Sequence, residues 1–335
     1  MNKQKIAVLG AGSWGSALAQ TLTDNGHEAM LWCHRQEEAD EINTFHTVSE
    51  YLPNVVLDTR IQAYTDLQFV MDAADLVLCV VPSQAVRTVM EQVANVISEP
   101  KLFITATKGI EKDSHKRMSE IITEVVGDNV KAVVALTGPS HAEEVAIRQF
   151  TALVAASEDD TASKITQQLF SNDTYMRVYR SNDIIGAELG GALKNIMAII
   201  IGVLIGLGYG DNAKAAVMTR GLAEMIRLAR HLGADPITFT GLTGLGDLIV
   251  TATSVHSRNF NAGLKIAQGE NLEQLLHEIK TVEGIKAVVS AHQLAEKYQI
   301  DMPLTQVLYQ VVYENADVAT IVEEMLKREM KVEIY

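Results

Sequence analysis

The feature that most constrains the fold is a glycine loop near the start of the chain, KIAVLGAGSWGSALAQTL (residues 5–22). An apolar, strand-like run leads into Gly10, Gly12 and Gly15, spaced G-x-G-x-x-G, and a helical pattern follows at once. In such a strand–loop–helix, the first glycine allows a tight turn, the second admits a pyrophosphate and the third lets the helix pack on the strand. The helix N-terminus then offers free N–H groups and a positive dipole end. The motif therefore predicts a dinucleotide-binding unit.

The rest of the first half repeats this alternation of strands and helices. Six short apolar runs read as strands: KIAVLG, EAMLWC, DLVLCVV, KLFITAT, KAVVAL and FTALVAA. They are continuously apolar, as expected of parallel strands covered on both faces. Helical patterns such as SQAVRTVMEQVANVI lie between several of them. This order predicts an α/β domain with a doubly wound, Rossmann-type sheet over residues 1–182.

The second half has a different class of pattern. From about Asn182 onward strand patterns disappear and long helical ones take over, for example AVMTRGLAEMIRLARHLG and LTQVLYQVVYE. We therefore expect an all-α domain over residues 183–335. A chain of 335 residues is long enough for two domains.

Composition excludes several classes of function. The net charge of −14 argues against a general nucleic-acid binder, which would show a basic face. Two cysteines, Cys33 and Cys79, give neither a disulfide framework nor a metal-ligand spacing, and the histidines show no zinc motif. The apolar run 195–210 is short for a membrane span, which needs about 20 residues, and the first residues contain no signal-peptide core. We expect a cytoplasmic protein with no metal, no nucleic-acid partner and no stable membrane insertion.

The end of the second strand bears on which nicotinamide cofactor binds. A carboxylate about 20 residues after the glycine loop would bind the ribose 2′-hydroxyl of NAD. The sequence there reads WCHRQEE, with His34 and Arg35 instead. Two potential cations favour the 2′-phosphate of NADPH, although both could simply be solvated surface residues. NADPH is the favoured form, and NADH stays open.

Polar turns after later strands suggest where a substrate binds. Lys108 follows one strand, and Gly138 and Ser140 follow the next. Ligands of doubly wound sheets bind beyond the carboxyl ends of the strands, so these residues should share a rim with the glycine loop. In the helical half, Arg258 and Asn259 open a helix capped by Ser257, which is a suitable place for a phosphate. Asp247, in the bend GLTGLGDLIVT, could cap a helix or hold a lysine.

Lys194 stands at the start of a long uncharged run, in ELGGALKNIMAIIIGVLIGLGYG. One interpretation is a lysine that extends from the end of a core helix to solvent. The other is a desolvated lysine whose lowered pKa suits proton transfer.

Taken together, these motifs resemble the soluble NAD(P)-dependent glycerol-3-phosphate dehydrogenases, particularly the bacterial form. The resemblance rests on GAGSWGSALA, LWCHR, ATKGIE, LTGPSHAEEV, GGALKNIMAI, GLGDL, SRNF and TVEGIKA, in that order along nearly the whole chain. It implies a Rossmann domain followed by a helical domain like the C-terminal one of 6-phosphogluconate dehydrogenase. It also implies reversible reduction of dihydroxyacetone phosphate to sn-glycerol 3-phosphate, which feeds glycerophospholipid synthesis.

The resemblance also assigns residues to roles. Lys194 would be the catalytic acid and base. Substrate contacts would come from Lys108, Gly138, Ser140, Lys194, Asp247, Ser257, Arg258 and Asn259. Cofactor contacts would come from Gly10, Gly12, Ser13, Trp14, Gly15, His34, Arg35, Lys108, Ala142, Arg258, Val282 and Glu283.

Two other functions remain open from the sequence. A related two-domain reductase would act on a hydroxy or keto acid, since the Arg258 helix start could hold a carboxylate. A nicotinamide sensor would bind cofactor without turnover, but it would have no evident need for two lysines at the cleft. A homodimer formed through the helical half is expected by analogy only.

Overall fold

The first part of the molecule is an eight-stranded sheet with helices on both faces. In the computed structural model, which describes residues 2–279, 282–326 and 332–333, the order along the sheet is β10-β9-β8-β7-β6-β1-β2-β5. The strands are β1 (Lys5–Leu9), β2 (Glu28–Trp32), β5 (Gln62–Tyr64), β6 (Leu76–Cys79), β7 (Lys101–Thr105), β8 (Val130–Thr137), β9 (Thr151–Ala156) and β10 (Met176–Ser181). A separate hairpin pairs β3 (Thr47–Val48) with β4 (Leu52–Val56).

Seven helices cover this sheet. They are α1 (Ser13–Asp24), α2 (Gln36–Phe45), α3 (Leu67–Ala73), α4 (Val86–Val96), α5 (Met118–Val126), α6 (Ala142–Ala146) and α7 (Asp160–Phe170). Alternate side chains of β1 enter opposite cores, Ile6 and Val8 on the side of α1 and Ala7 and Leu9 on the side of α4. A sheet buried on both faces explains why its central strands are continuously apolar.

The structure confirms the predicted Rossmann-type class and all six predicted strands, and it differs from the expectation in two respects. β9 runs antiparallel to β8, whereas the other pairs of the large sheet are parallel. Two further strands, β5 and β10, form the edges of the sheet. Because each has a neighbour on one side only, neither needs the apolar run by which central strands are recognised.

The second part is helical, as predicted. Its helices are α8 (Ile184–Gly206), α9 (Asp211–His231), α10 (Asp247–Thr253), α11 (Arg258–Ala267), α12 (Leu272–Glu278), α13 (Glu283–Tyr298), α14 (Pro303–Tyr313) and α15 (Val318–Leu326). α8 is the centre of the bundle. By length and composition it could cross a membrane, but 89% of its most apolar window is buried inside the molecule. The predicted apolar run therefore belongs to a core helix.

Glycines allow α11 to cross α8 at very short range. A Cβ on Gly263 would lie 2.0 Å from the carbonyl oxygen of Ile199, and one on Gly202 would lie 2.1 Å from that of Phe260. Real Cβ atoms do not approach so closely, so only glycine permits this crossing. The crossing holds the start of α11 against the middle of α8, where Lys194 lies.

Candidate active site

A cleft between the sheet and the helical bundle collects most of the predicted site residues. It measures about 490 Å³, within the usual range of small-molecule sites. It is lined by Gly10, Gly12, Ser13, Trp14, His34, Arg35, Lys108, Ser140, Ala142, Lys194, Ser257, Arg258, Asn259 and Glu283, among others. Four other predicted residues lie next to this lining. Gly15 follows Trp14 and Val282 precedes Glu283, while Gly138 and Asp247 accept hydrogen bonds from Lys108.

The glycine loop is shaped to receive a ligand. Gly10 has φ +112°, and a Cβ on Gly15 would lie 1.9 Å from the carbonyl oxygen of Gly10, so both are required by the turn itself. A Cβ on Gly12 would meet no protein atom within 4 Å and would project into the cleft. The indole Nε1 of Trp14 is buried and has no partner among the described residues. Open space over Gly12 and an unpaired donor beside it fit a dinucleotide pyrophosphate at the N-terminus of α1.

The centre of the cleft is a cluster of three charges. Asp247, fully buried, accepts hydrogen bonds through Oδ1 from Lys194 and through Oδ2 from Lys108 Nζ at 2.8 Å. Lys194 also donates to Thr251 Oγ1 at 2.6 Å. Lys108 also donates to the carbonyl oxygen of Gly138 at 3.1 Å. Of the two roles considered for Asp247, the structure therefore supports the one in which it holds a lysine.

Lys194 is a desolvated lysine, not a lysine that reaches solvent. It is 4% exposed, and burial lowers its pKa from 10.5 to about 7. The Asp247 carboxylate opposes this change, and the Lys108 ammonium adds to it. A buried amine with a pKa near neutrality can both donate and accept a proton at physiological pH.

Arg258 and Asn259 open α11, as predicted, with Ser257 as its cap. The Ser257 hydroxyl accepts a hydrogen bond from the N–H of Phe260 at 3.2 Å. Asn259 donates to Asn195 Oδ1 at 3.0 Å and accepts from the N–H of Gly284 at 2.9 Å. It therefore ties three helices together, lines the cleft and has a second amide hydrogen that no described residue accepts. Arg258 lines the cleft beside it.

Sequence reasoning missed several residues of this site. Thr251 lies one helical turn after Asp247, so the i, i+4 spacing of the two could have revealed it. Asn195 directly follows Lys194. The contact of Ser83 Oγ with Glu283 Oε2, at 2.6 Å, joins residues 200 positions apart and left no local signal. Glu38 and Tyr51 reach the cleft beside Arg35.

The two cysteines take no part in this site. Both are buried, and burial raises the pKa of the Cys33 thiol to about 12 and that of Cys79 to about 11. Thiols that stay protonated at neutral pH are poor nucleophiles.

Family models match both parts of the chain. One described as the N-terminus of NAD-dependent glycerol-3-phosphate dehydrogenase matches residues 5–163, and one described as its C-terminus matches residues 183–323. A glycerol-3-phosphate dehydrogenase, NAD(P)+ form, from Enterococcus faecalis is 49% identical over 99% of this chain and 98% of its own. A Staphylococcus aureus protein of the same name is 49% identical over 98% and 99%.

Solved structures agree. The crystal structure of glycerol-3-phosphate dehydrogenase from Coxiella burnetii has a TM-score of 0.92 and 37% identity, covering 97% of this chain and 99% of that one. A ketopantoate reductase from Ralstonia eutropha has a TM-score of 0.62 at 16% identity, over 96% and 99%. The latter shows a shared fold alone.

Proposed function

The chain belongs to the family of NAD-dependent glycerol-3-phosphate dehydrogenases, and we propose that Lys194 is the acid and base of its reaction. The chain is an oxidoreductase that uses NAD(P), and its substrate is a small phosphorylated molecule. The reaction is the reversible reduction of dihydroxyacetone phosphate to sn-glycerol 3-phosphate. The buried cluster of Lys194, Asp247 and Lys108 is the observation that supports this role for Lys194.

Cofactor binding falls to the loop that begins α1. Backbone N–H groups near Gly12, the space above it and the Trp14 indole would hold the pyrophosphate. His34 and Arg35 would lie at the adenosine end, and Glu283 and Ala142 also line the cleft. The bound nicotinamide supplies the hydride.

Lys194 stabilises the negative charge that develops on the ketone oxygen. An ammonium group close to that oxygen stabilises the negative charge and then gives up a proton. Asp247 and Thr251 hold the Lys194 amine in place through hydrogen bonds, and Lys108 adds a second positive charge beside it. In the oxidative direction the neutral amine accepts the hydroxyl proton, which a pKa near 7 allows.

Arg258 positions the phosphate. Its guanidinium and the remaining amide hydrogen of Asn259 stand at the start of α11, where the helix dipole also favours an anion. Fixing the phosphate fixes the carbon to be reduced. We therefore expect Arg258→Ala to raise KM for the phosphorylated substrate, and an unchanged KM would argue for another phosphate anchor.

Three further expectations belong to this proposal. The dinucleotide-binding domain spans residues 1–182 and the helical domain 183–335. The protein acts in the cytoplasm without membrane insertion; among the described residues, the one helix that is long and apolar enough to cross a membrane is buried in the core. It forms a homodimer, by analogy.

Turnover with competing substrates tests the reaction. Purified protein should oxidise NADPH or NADH with dihydroxyacetone phosphate and give little turnover with 2-ketopantoate or other 2-keto acids. Preference for a keto acid would identify the related reductase instead. Binding of cofactor with no turnover on any of these substrates would identify a sensor.

Lys194→Met tests the proton donor. This variant should bind cofactor as the wild type does and lose most of its turnover. Lys101→Met is the matched control, because Lys101 is also a buried lysine, 2% exposed, but donates to the carbonyl oxygen of Ala74 away from the cleft. Turnover per folded molecule should survive in Lys101→Met. Wild-type turnover in Lys194→Met would exclude the assignment.

A further inference from the structure

Arg35, which lines the cleft where the adenosine end is proposed to bind, contacts two carboxylates, one close to it in the sequence and one distant. Its Nη2 contacts Glu38 and lies 2.5 Å from Glu50 Oε2, and its Nε donates to Glu38 Oε1 at 3.0 Å. Glu38 is one turn into α2, whereas Glu50 lies fifteen residues after Arg35, between β3 and β4. Folding thus brings a second carboxylate, from outside the WCHRQEE segment, to Arg35.

The segment that carries Glu50 is held in position by its own contacts. Glu41, on α2, accepts hydrogen bonds from Thr47 Oγ1 and from the N–H of Ser49, both at 2.7 Å. These bonds to the charged form lower the pKa of Glu41, so the carboxylate is present at neutral pH. The loop is therefore fastened to α2 directly beside Glu50. Tyr51, the next residue, donates to Glu38 Oε1 at 3.4 Å and lines the cleft.

The Arg35 guanidinium and the two carboxylates that contact it favour different cofactors. A ribose 2′-phosphate carries between about −1.5 and −2 charges at neutral pH if it resembles other phosphate monoesters, and it needs the Arg35 guanidinium. To bind the Arg35 guanidinium, the 2′-phosphate must displace the Glu38 and Glu50 carboxylates and must approach their negative charge. A ribose 2′-hydroxyl has no such conflict, because it can donate a hydrogen bond to a carboxylate.

We propose that Glu38 and Glu50 form a carboxylate clamp on Arg35 that sets the preference between NADPH and NADH. The inference rests on the proposed placement of the cofactor in this cleft. The clamp weakens the advantage that Arg35 and His34 give to the 2′-phosphate and supplies an acceptor for the 2′-hydroxyl. The clamp would thereby let a chain whose second strand ends in two potential cations accept NADH as well as NADPH.

The expected size of the effect depends on how exposed the three side chains are. The side chains of Arg35, Glu38 and Glu50 are 48%, 19% and 34% exposed. Ion pairs this open to solvent are weak, so removing one carboxylate should change the preference between the two cofactors by roughly twofold to fivefold. Because both carboxylates act on one guanidinium, their effects should not simply multiply.

Direct binding measurements test the clamp without relying on catalysis. Isothermal titration calorimetry on the whole protein should compare adenosine 2′,5′-bisphosphate with adenosine 5′-monophosphate, two probes that differ only in the 2′-phosphate. Glu50→Gln and Glu38→Gln should each raise the preference for the bisphosphate by about twofold to fivefold. NADP+ and NAD+ should show the same change.

Glu37→Gln is the matched control. Glu37 lies in the same first turn of α2, and no hydrogen bond or ion pair of the described residues joins it to Arg35. This variant removes the same charge from the same region and should alter the preference less than twofold. An equal change in Glu37→Gln would show that net charge alone matters and would overturn the clamp, as would unchanged preference in both clamp variants.

A second comparison tests whether the carboxylates act through Arg35. In an Arg35→Gln background, Glu50→Gln should lose most of its effect on the preference. A fully retained effect would overturn the proposal, since Glu50 would then act directly on the phosphate. Failure of the proposed function would look different, as absent turnover of dihydroxyacetone phosphate by the wild type, an assay that these binding measurements do not use.

Discussion

The rate of ketone reduction should fall as pH rises above about 7, and the cause is Lys194. Its lowered pKa means that burial disfavours the charged form of Lys194, relative to the neutral amine, by on the order of 5 kcal/mol compared with a lysine in water. A proton donor must be protonated, and with a pKa of about 7 only about one hundredth of the molecules carry that proton at pH 9. We therefore expect kcat/KM for dihydroxyacetone phosphate to fall about tenfold per pH unit above 7.

The oxidative reaction should show the opposite pH dependence, with the falling limb of its pH profile on the acid side. If the neutral Lys194 amine is the base, as proposed, kcat/KM for glycerol 3-phosphate should be constant above pH 7 and fall as the pH decreases below it. The substrate phosphate has a second pKa near 6 and is already a dianion where the reductive limb begins, so it does not cause that limb.

Stopped-flow or steady-state measurements of nicotinamide absorbance between pH 6 and pH 10 would test both limbs. Lys101→Met should keep the wild-type profile, and the residual activity of Lys194→Met should lack the limb near 7. A reductive kcat/KM that stays constant up to pH 9 would refute the reasoning, because the proton donor would then have the pKa of an ordinary lysine or would be another group.

Three further outcomes follow from the packing. Gly12→Ala should leave the melting temperature unchanged and abolish cofactor binding measured by calorimetry, whereas Gly15→Ala should also unfold the loop, since its Cβ would lie 1.9 Å from a carbonyl oxygen. Burial raises the pKa of Glu224 from 4.5 to about 7, so its stabilising contribution is complete below pH 4.5 and is lost as the pH rises through 7. The free energy of unfolding of Glu224→Gln, measured in urea, should therefore rise by about 3 kcal/mol relative to that of the wild type as the pH increases from 4.5 to 7. Glu188→Ala should cost roughly 1–3 kcal/mol in the same assay, because it leaves the buried N–H of Ser119 without its acceptor and leaves Glu120 as the remaining carboxylate partner of Arg117.

The fold could be predicted largely because its central elements are buried on all sides. Strands covered on both faces must be apolar throughout, and α8, at the centre of the bundle, must be apolar around its whole circumference. The two strands of the large sheet that escaped prediction, QAY in β5 and MRVYRS in β10, are its edges. In β10 two buried residues, Met176 and Val178, alternate with exposed ones and the exposed Arg180 follows, so its sequence carries little strand signal.

The site could be predicted only where one short segment carries its whole chemistry. The glycine loop and the start of α11 are such segments, since the turn, the cap and the dipole are all local. The clamp on Arg35 was not recognisable, because Glu50 reaches it only after β3 and β4 fold back over α2. The pKa of Lys194 was also out of reach from sequence, because it depends on burial and on two charges brought in by other elements.

Those charges make the acidity of Lys194 a property of the junction between the two parts of the molecule. Lys194 and Asp247 come from the helical bundle, whereas Lys108 follows β7 of the sheet. Asp247 alone would hold the Lys194 proton more tightly, and the Lys108 ammonium, sharing the same carboxylate at 2.8 Å, weakens that hold. Separating the sheet from the bundle would remove Lys108 and admit water, and both changes raise the pKa of Lys194. The pKa of Lys194 is therefore suited to proton transfer only when the sheet and the bundle are together. In the proposed mechanism, the same arrangement positions the cofactor and the phosphate, so proton transfer occurs only where both are in place.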